Sequence, residues 1–216
     1  MMRKVALPLA IIALALPFLA APPAEAGAPR TWVSGTGDDT KNCSRTAPCK
    51  TFQGALDNNK TAAGGEINCL DPGDFGPVTI TFSLTISCEA GTAGILVTDG
   101  RAITIIASPD DVVTLRGLDI DGQGVGSFGI GIFSAKAVHV EKCTIRYFQG
   151  NSVASGITTF ANSSSTVFLF VVDTVISNNA IGVLLNSGGG FKVASLNNVT
   201  ITGSTSDGLA LVGANL

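Results

Sequence analysis

The sequence predicts an all-β chain wound as a right-handed parallel β-helix, a solenoid with a short N-terminal capping helix, and three observations carry that expectation. Four segments repeat one pattern: Leu115-x-x-Leu118-x-Ile120, Val140-x-x-Cys143-x-Ile145, Val171-x-x-Thr174-x-Ile176 and Leu196-x-x-Val199-x-Ile201. Each is followed by a glycine-apolar step, beginning at Gly129, Gly156, Gly182 and Gly208, with separations of 27, 26 and 26 residues. That period is too regular for loops and too short for independent domains, so each unit must stack on the next. Inside each unit apolar residues alternate with polar ones, as in Cys143-Thr144-Ile145-Arg146, which is the two-residue period of a half-buried strand.

Three such strands fit each period. One precedes the corner (Val138 and Val140, Leu169 and Val171, Ala194 and Leu196 inward), one carries the isoleucine, and one follows the glycine (Ile130 and Ile132, Ile157 and Thr159, Val183 and Leu185, Leu209 and Leu211 inward). Corners rich in Asn, Gly and Ser, such as Ser177-Asn178-Asn179, join them, and stacked strands lie about 4.8 Å apart. Leucine-rich repeats have a shorter period and carry a helix, whereas these units are rich in Val, Ile, Thr, Ser and Gly.

Ahead of the coil the chain divides in two. Residues 1–26 read as a secretory signal: Arg3 and Lys4, an apolar run over 5–21, then the small-x-small site Ala24-Glu25-Ala26. Pro8 and Pro17 interrupt that run, which is also short for a bilayer span, and no later segment could cross a membrane. The expected location is secreted, periplasmic or cell-envelope in a bacterium. Residues 27–65 then supply an entry strand (Thr31-Trp32-Val33-Ser34), a polar loop over 35–42, and the one plausible helix, 51–59, with Thr51 as its cap. A coil's first turn exposes backbone groups and an apolar interior, so a helix placed there acts as a lid. The repeats occupy 66–216, starting with the strand 66–70. At the far end, the segment 209–212 closes the last turn and only four residues follow it, so an uncapped turn open to self-association is expected.

Composition narrows the partners. Without Arg3, Lys4 and Glu25 the 13 basic and 16 acidic side chains fall to 11 and 15, a net charge of −4 with no basic cluster. Nucleic acid and anionic membranes are therefore poor partners. Small uncharged polar residues dominate the outer positions, which suits neutral hydrogen-bonding partners, such as a polysaccharide or cell-surface glycan, or no partner at all. Five cysteines in an exported chain suggest two disulfides and one thiol left over. Cys43 and Cys49 are six apart and can close a loop. Cys69 and Cys88 occupy matching inward positions of adjacent early turns, where they either bridge or stack as thiols. Cys143 takes an inward core position.

The run from Trp32 through Cys43, Ala47-Pro48-Cys49-Lys50-Thr51-Phe52, Gly64-Gly65-Glu66-Ile67 and Asp71-Pro72-Gly73 to Val78-Thr79-Ile80 resembles the start of exported bacterial right-handed β-helix repeat proteins of the pectin-lyase-like fold. The resemblance covers about 55 residues closely and the repeats loosely. It implies fold and export. Enzymes of that fold are polysaccharide lyases and glycoside hydrolases, and the polygalacturonase-like motif set (Asn-Thr-Asp, Asp-Asp one turn on, Gly-His-Gly, Arg-Ile-Lys) does not occur here in that order.

The candidate catalytic residues are Asp119, Asp121 and Arg146. Two carboxylates two apart on one strand face lie about 6.5 to 7 Å apart, inside the window a hydrolase needs. The next turns offer Thr144 and Arg146, then Val175 and Ser177, then Thr200 and Thr202 in the same columns, so the constellation has no depth. Stacking also sets Arg116 beside Glu141, Asp121 beside Arg146 and Lys142 beside Asp173, as cross-strand charge pairs. His139, the one histidine, faces outward with Thr114 and Phe170 as column neighbours. No cofactor is implied and no ligand spacing suggests a metal; Gly122-Gln123-Gly124-Val125-Gly126 opens no helix and reads as a corner. The candidate binding residues are Phe133, Phe160 and Leu184, beside an outward apolar strip of Val175, Leu184 and Ala210. The functional expectation is an exported β-helix scaffold or surface-interaction protein, carbohydrate-binding rather than catalytic. The alternative is a polysaccharide lyase or glycoside hydrolase using Asp119 and Asp121.

Overall fold

A computed structural model of the chain describes residues 27–88, 93–160, 166–188 and 190–213. The signal expected over 1–26 and the final residues 214–216 lie outside the described residues. Strand β1 (Ala28–Val33) and helix α1 (Phe52–Leu56) precede six coils of three strands. The first two coils are β2 (Thr61–Cys69), β3 (Gly73–Asp74), β4 (Val78–Ile80) and β5 (Leu84–Ser87), β6 (Ala93–Leu96), β7 (Arg101–Ile106). The middle two are β8 (Val112–Arg116), β9 (Leu118–Asp121), β10 (Phe128–Ser134) and β11 (Ala137–Glu141), β12 (Thr144–Arg146), β13 (Ser155–Thr159). The last two are β14 (Val167–Val172), β15 (Val175–Ser177), β16 (Ile181–Asn186) and β17 (Lys192–Asn197), β18 (Thr200–Thr202), β19 (Leu209–Val212).

All sheet pairs are parallel, and each strand pairs with its equivalents one coil before and after. The first sheet runs β1-β2-β5-β8-β11-β14-β17, the second β4-β7-β10-β13-β16-β19 and the third β3-β6-β9-β12-β15-β18. From β4 to β19 the chain makes five full turns, a parallel β-solenoid. Its core is built of columns. Ile95, Ile120, Ile145, Ile176 and Ile201 stack in the third sheet, and Ile80, Ile105, Ile132, Thr159, Leu185 and Leu211 in the second. Each apolar side chain fully buried this way contributes about 1.5–3 kcal/mol. Burial holds through coil five and then fails: Leu185 is 8% exposed, its register partner Leu211 53%. Leu196 and Leu209, inward by register, are likewise 37% and 48% exposed.

The glycines that mark the period do so through close approach. A Cβ on Gly129 would sit 2.5 Å from the carbonyl oxygen of Gly156, one on Gly156 2.8 Å from that of Gly182, and one on Gly182 2.4 Å from that of Gly208. The isoleucine column crowds the same points, with Ile145, Ile176 and Ile201 methyls within 2.5 to 2.8 Å. A bare Cα in coils three to five is therefore what lets each approach the next at this edge, whereas the equivalent point of coil two carries Ala102. The corner from the first sheet to the third uses a left-handed residue instead: Gly117, Lys142, Asp173 and Asn198 hold φ of 71°, 52°, 51° and 52°. Only at Gly117 is that conformation free of side-chain strain.

The N-terminal segment closes the start of the coil. Thr51 Oγ1 accepts from Gly54 N at 2.8 Å as the helix cap, and the Asp39 carboxylate accepts from Lys50 N, Thr51 N and Thr51 Oγ1 at 2.7 to 2.9 Å. Phe52, Ala55 and Leu56 are buried, and the Phe52 ring meets Phe75 at 5.1 Å. The helix packs on β1, β2 and β4, and ends in a 3-10 turn over Asp57–Asn59. Two departures from expectation concern strand limits. The entry strand starts at Ala28, and the first coil strand starts at Thr61 because an irregularity in the β1–β2 register lets residues 61–65 extend it. Disulfides join Cys43 to Cys49 and Cys69 to Cys88, the second tying β2 to the segment after β5; Cys143 is a buried free thiol.

Candidate functional site

The carboxylates Asp119 and Asp121 lie on the outer face of β9, with Thr144 and Arg146 of β12 in register beside them. Arg146 takes both. Its Nη1 donates to Asp119 Oδ1, and its Nε lies 3.2 Å from Asp121 Oδ2. Burial works against the guanidinium charge, but the hydrogen bond to Asp119 and the two carboxylate charges outweigh it, so Arg146 is held more firmly protonated than usual. One arginine thus occupies both carboxylates, whereas a glycosidase needs one of the pair as acid and the other as base or nucleophile, each facing the substrate. In the adjoining coils the same columns hold Gly94 and Leu96 on one side and Val175 and Ser177 on the other, none of them titratable, and the next carboxylate of the Asp119 column is Asp74, two coils away.

Other expected charge pairs divide. Arg116 Nε and Nη2 donate to Glu141 Oε2 at 2.9 and 2.7 Å. Lys142 and Asp173 do occupy one corner column, but the Asp173 carboxylate accepts from Asn198 Nδ2 at 2.7 Å, the left-handed residue of the next coil, and no ion pair joins it to Lys142. His139 stands between Thr114 and Phe170 as expected, with its ring stacked on Phe170 at 4.8 Å.

The apolar strip is not one surface. Val175 belongs to the third sheet, whereas Leu184 and Ala210 share a column of the second with Thr104, Gly131 and Thr158. Outward direction alone placed them together, but a three-sided coil has three outward directions.

Phe133 and Phe160, by contrast, do meet. Their rings stack at 4.0 Å with planes 7° apart, and Phe128 meets Phe160 edge-on at 5.1 Å. The Arg101 guanidinium lies 5.1 to 5.8 Å from the centres of all three rings. The backbone explains the gathering. Phe128 is the register partner of Arg101 one coil earlier, and Phe160 N donates to Ile132 O at 2.9 Å, setting Phe160 beside Phe133. Gly131 provides the bed, since a Cβ there would come 3.2 Å from the Phe160 ring. The result is a half-buried aromatic patch with an exposed cation on the outer face of the second sheet. Each aromatic pair adds about 0.5–1.5 kcal/mol, and the cation about 0.5–1 kcal/mol at an exposed site. Phe128 and Arg101 were missed in the sequence, although their 27-residue spacing equals that of Phe133 and Phe160.

A second outer feature was also missed. Val112, Ala137, Phe168 and Val193 form one column on the first sheet, three of them exposed, with His139 and Phe170 alongside. An open depression of about 580 Å³ lies at the corner between the third and second sheets, lined by Gln149, Asn151, Ser152, Ala180, Thr205 and Ser206. Among the described residues no helix is long and apolar enough to cross a membrane. Searches of family models, curated proteins and solved structures returned no match to this chain.

Proposed function

We propose that this protein is an exported β-helix that binds glycans at a surface through the outer face of its second sheet, without cleaving them. The observation that carries the reading is the Arg101, Phe128, Phe133 and Phe160 cluster. Aromatic faces accept the apolar C–H face of a pyranose ring, and an arginine fork donates to its hydroxyl or carboxylate oxygens. The rest of the coil surface favours uncharged, hydrogen-bonding partners. Export is supported by two disulfides, which persist in oxidising compartments, and by the signal-like residues 1–26. A relationship to the pectin-lyase-like fold rests on the resemblance over residues 32–80 together with the three-sheet coil.

The catalytic alternative, with Asp119 and Asp121 as acid and base, is disfavoured because one arginine pairs with both. Self-association is a second reading, favoured by the inward-facing but exposed Leu196, Leu209 and Leu211; a monodisperse, cooperatively melting monomer in light scattering would exclude it. Incubation with a panel of plant and bacterial polysaccharides tests the main reading. Retention with no new chain ends is the expected result. Release of unsaturated or reducing ends would favour the catalytic alternative, and no retention at all would favour a purely structural coil.

A further inference from the structure

We infer that the corner depression on coils four to six is a second glycan subsite that takes an uncharged stretch of the same chain that docks on the aromatic patch. This rests on the reading of that patch as a glycan platform. The lining comes from three successive coils: Gln149, Asn151 and Ser152 from the fourth, Ala180 from the fifth, Thr205 and Ser206 from the sixth. They are set side by side by coil-to-coil bonds, Thr205 N to Asn179 O at 3.0 Å and Ser206 N to Ala180 O at 2.9 Å. No charged side chain lines the depression, which disfavours phosphate, nucleic acid or a metal ion. Gln149 Nε2 already donates to Asn178 O and Ser206 Oγ to Asp207 Oδ2, and Asn151 Oδ1 accepts from Val153 N, so Gln149 Oε1, Asn151 Nδ2 and the Ser152 and Thr205 hydroxyls are the groups that match a polyhydroxylated ligand, and about 580 Å³ lies within the usual range of ligand sites.

Register joins the two sites. Arg101, Phe128 and Ser155 follow one another in the column that opens the second sheet on coils two, three and four. The corner of coil four leads directly into Ser155, with Gly150 N bonded to Gly126 O at 3.1 Å and Ser155 N to Ser127 O at 2.9 Å. A ligand that runs from Phe128 obliquely toward this corner, past the buried Ser155, would reach Asn151 and Ser152. Successive coils present their groups at steps of about 4.8 Å, close to the repeat of a pyranoside chain.

Titration calorimetry with neutral cello-oligosaccharides and acidic uronic oligosaccharides, each of two to six units, tests this. The measurements compare wild type with a filled variant, Ser152→Phe, and a bond-deleted variant, Gln149→Ala with Thr205→Ala. Thermal melts check that each variant folds. Neutral hexasaccharide binding should weaken about tenfold in both variants, the effect of one or two lost hydrogen bonds, while disaccharide binding stays unchanged. Hexasaccharide affinity equal to wild type in both folded variants, or a wild type that binds only the acidic series, overturns the corner subsite and leaves the aromatic platform standing. Absence of binding in both series overturns both.

Discussion

Gly156 and Gly208 occupy equivalent points of the repeat, yet the same substitution should affect them differently. A methyl group at Gly156 meets a backbone oxygen and an isoleucine methyl at 2.8 Å, neither of which can move without shifting a coil. Gly156→Ala should cost about 1–3 kcal/mol, read as a lower urea midpoint at unchanged slope. At Gly208 the nearest atom is 3.5 Å away, because no further coil lies over it among the described residues, and Gly208→Ala should fall within about 0.5 kcal/mol of wild type. Equal effects would show that the glycines are kept for some reason other than approach. Cys143 gives a second test at this scale. Burial first, only partly offset by backbone hydrogen bonds, raises its pKa from 9.0 to about 11. A native pKa above the unfolded one favours folding fully below pH about 9, and that contribution is lost as pH rises toward 11. Maleimide at neutral pH should therefore label Cys143 only after denaturation.

The elements differ in how they are held. The Cys69–Cys88 bridge ties the first coil to the second across 19 residues, whereas Cys43–Cys49 closes a loop of six beside the helix. On loop entropy, replacing Cys69 and Cys88 with Ala should cost about 3 kcal/mol and replacing Cys43 and Cys49 about 2 kcal/mol, so melting temperatures should rank in that order. The strands and the lid were legible in the sequence because burial fixes them locally. Alternation in Cys143-Thr144-Ile145-Arg146 means a strand in any coil, and Thr51 caps its helix with its own hydroxyl. The site was legible only in part. Phe133 and Phe160 could be placed by period, but Arg101 and Phe128 required knowing which residue starts each second-sheet strand, and corner lengths vary from coil to coil. The strip of Val175 with Leu184 failed for the same reason: the alternation gives in or out, not which of three sides. The diagonal reach of Arg146 to Asp119 depends on side-chain length rather than register, so only the column partner Asp121 was visible.

At the scale of the molecule, one repeat builds three long faces with separate characters. The third carries acids held by arginine, the first an apolar column with a stacked histidine, and the second an arginine over three phenylalanines. Among the described residues the second face combines flat apolar area, a multidentate donor and an adjoining uncharged depression, which is why glycan binding is proposed there. The most direct test is affinity electrophoresis through gels containing the polysaccharide that retards wild type, comparing wild type with Phe160→Ala. Phe160 is half-buried on the outside of the coil, so the variant should melt within a few degrees of wild type. Its retardation should fall at least about tenfold, as expected when an aromatic stacking surface is removed. Retardation equal to wild type in the folded variant, or a wild type that no polysaccharide slows, would contradict it.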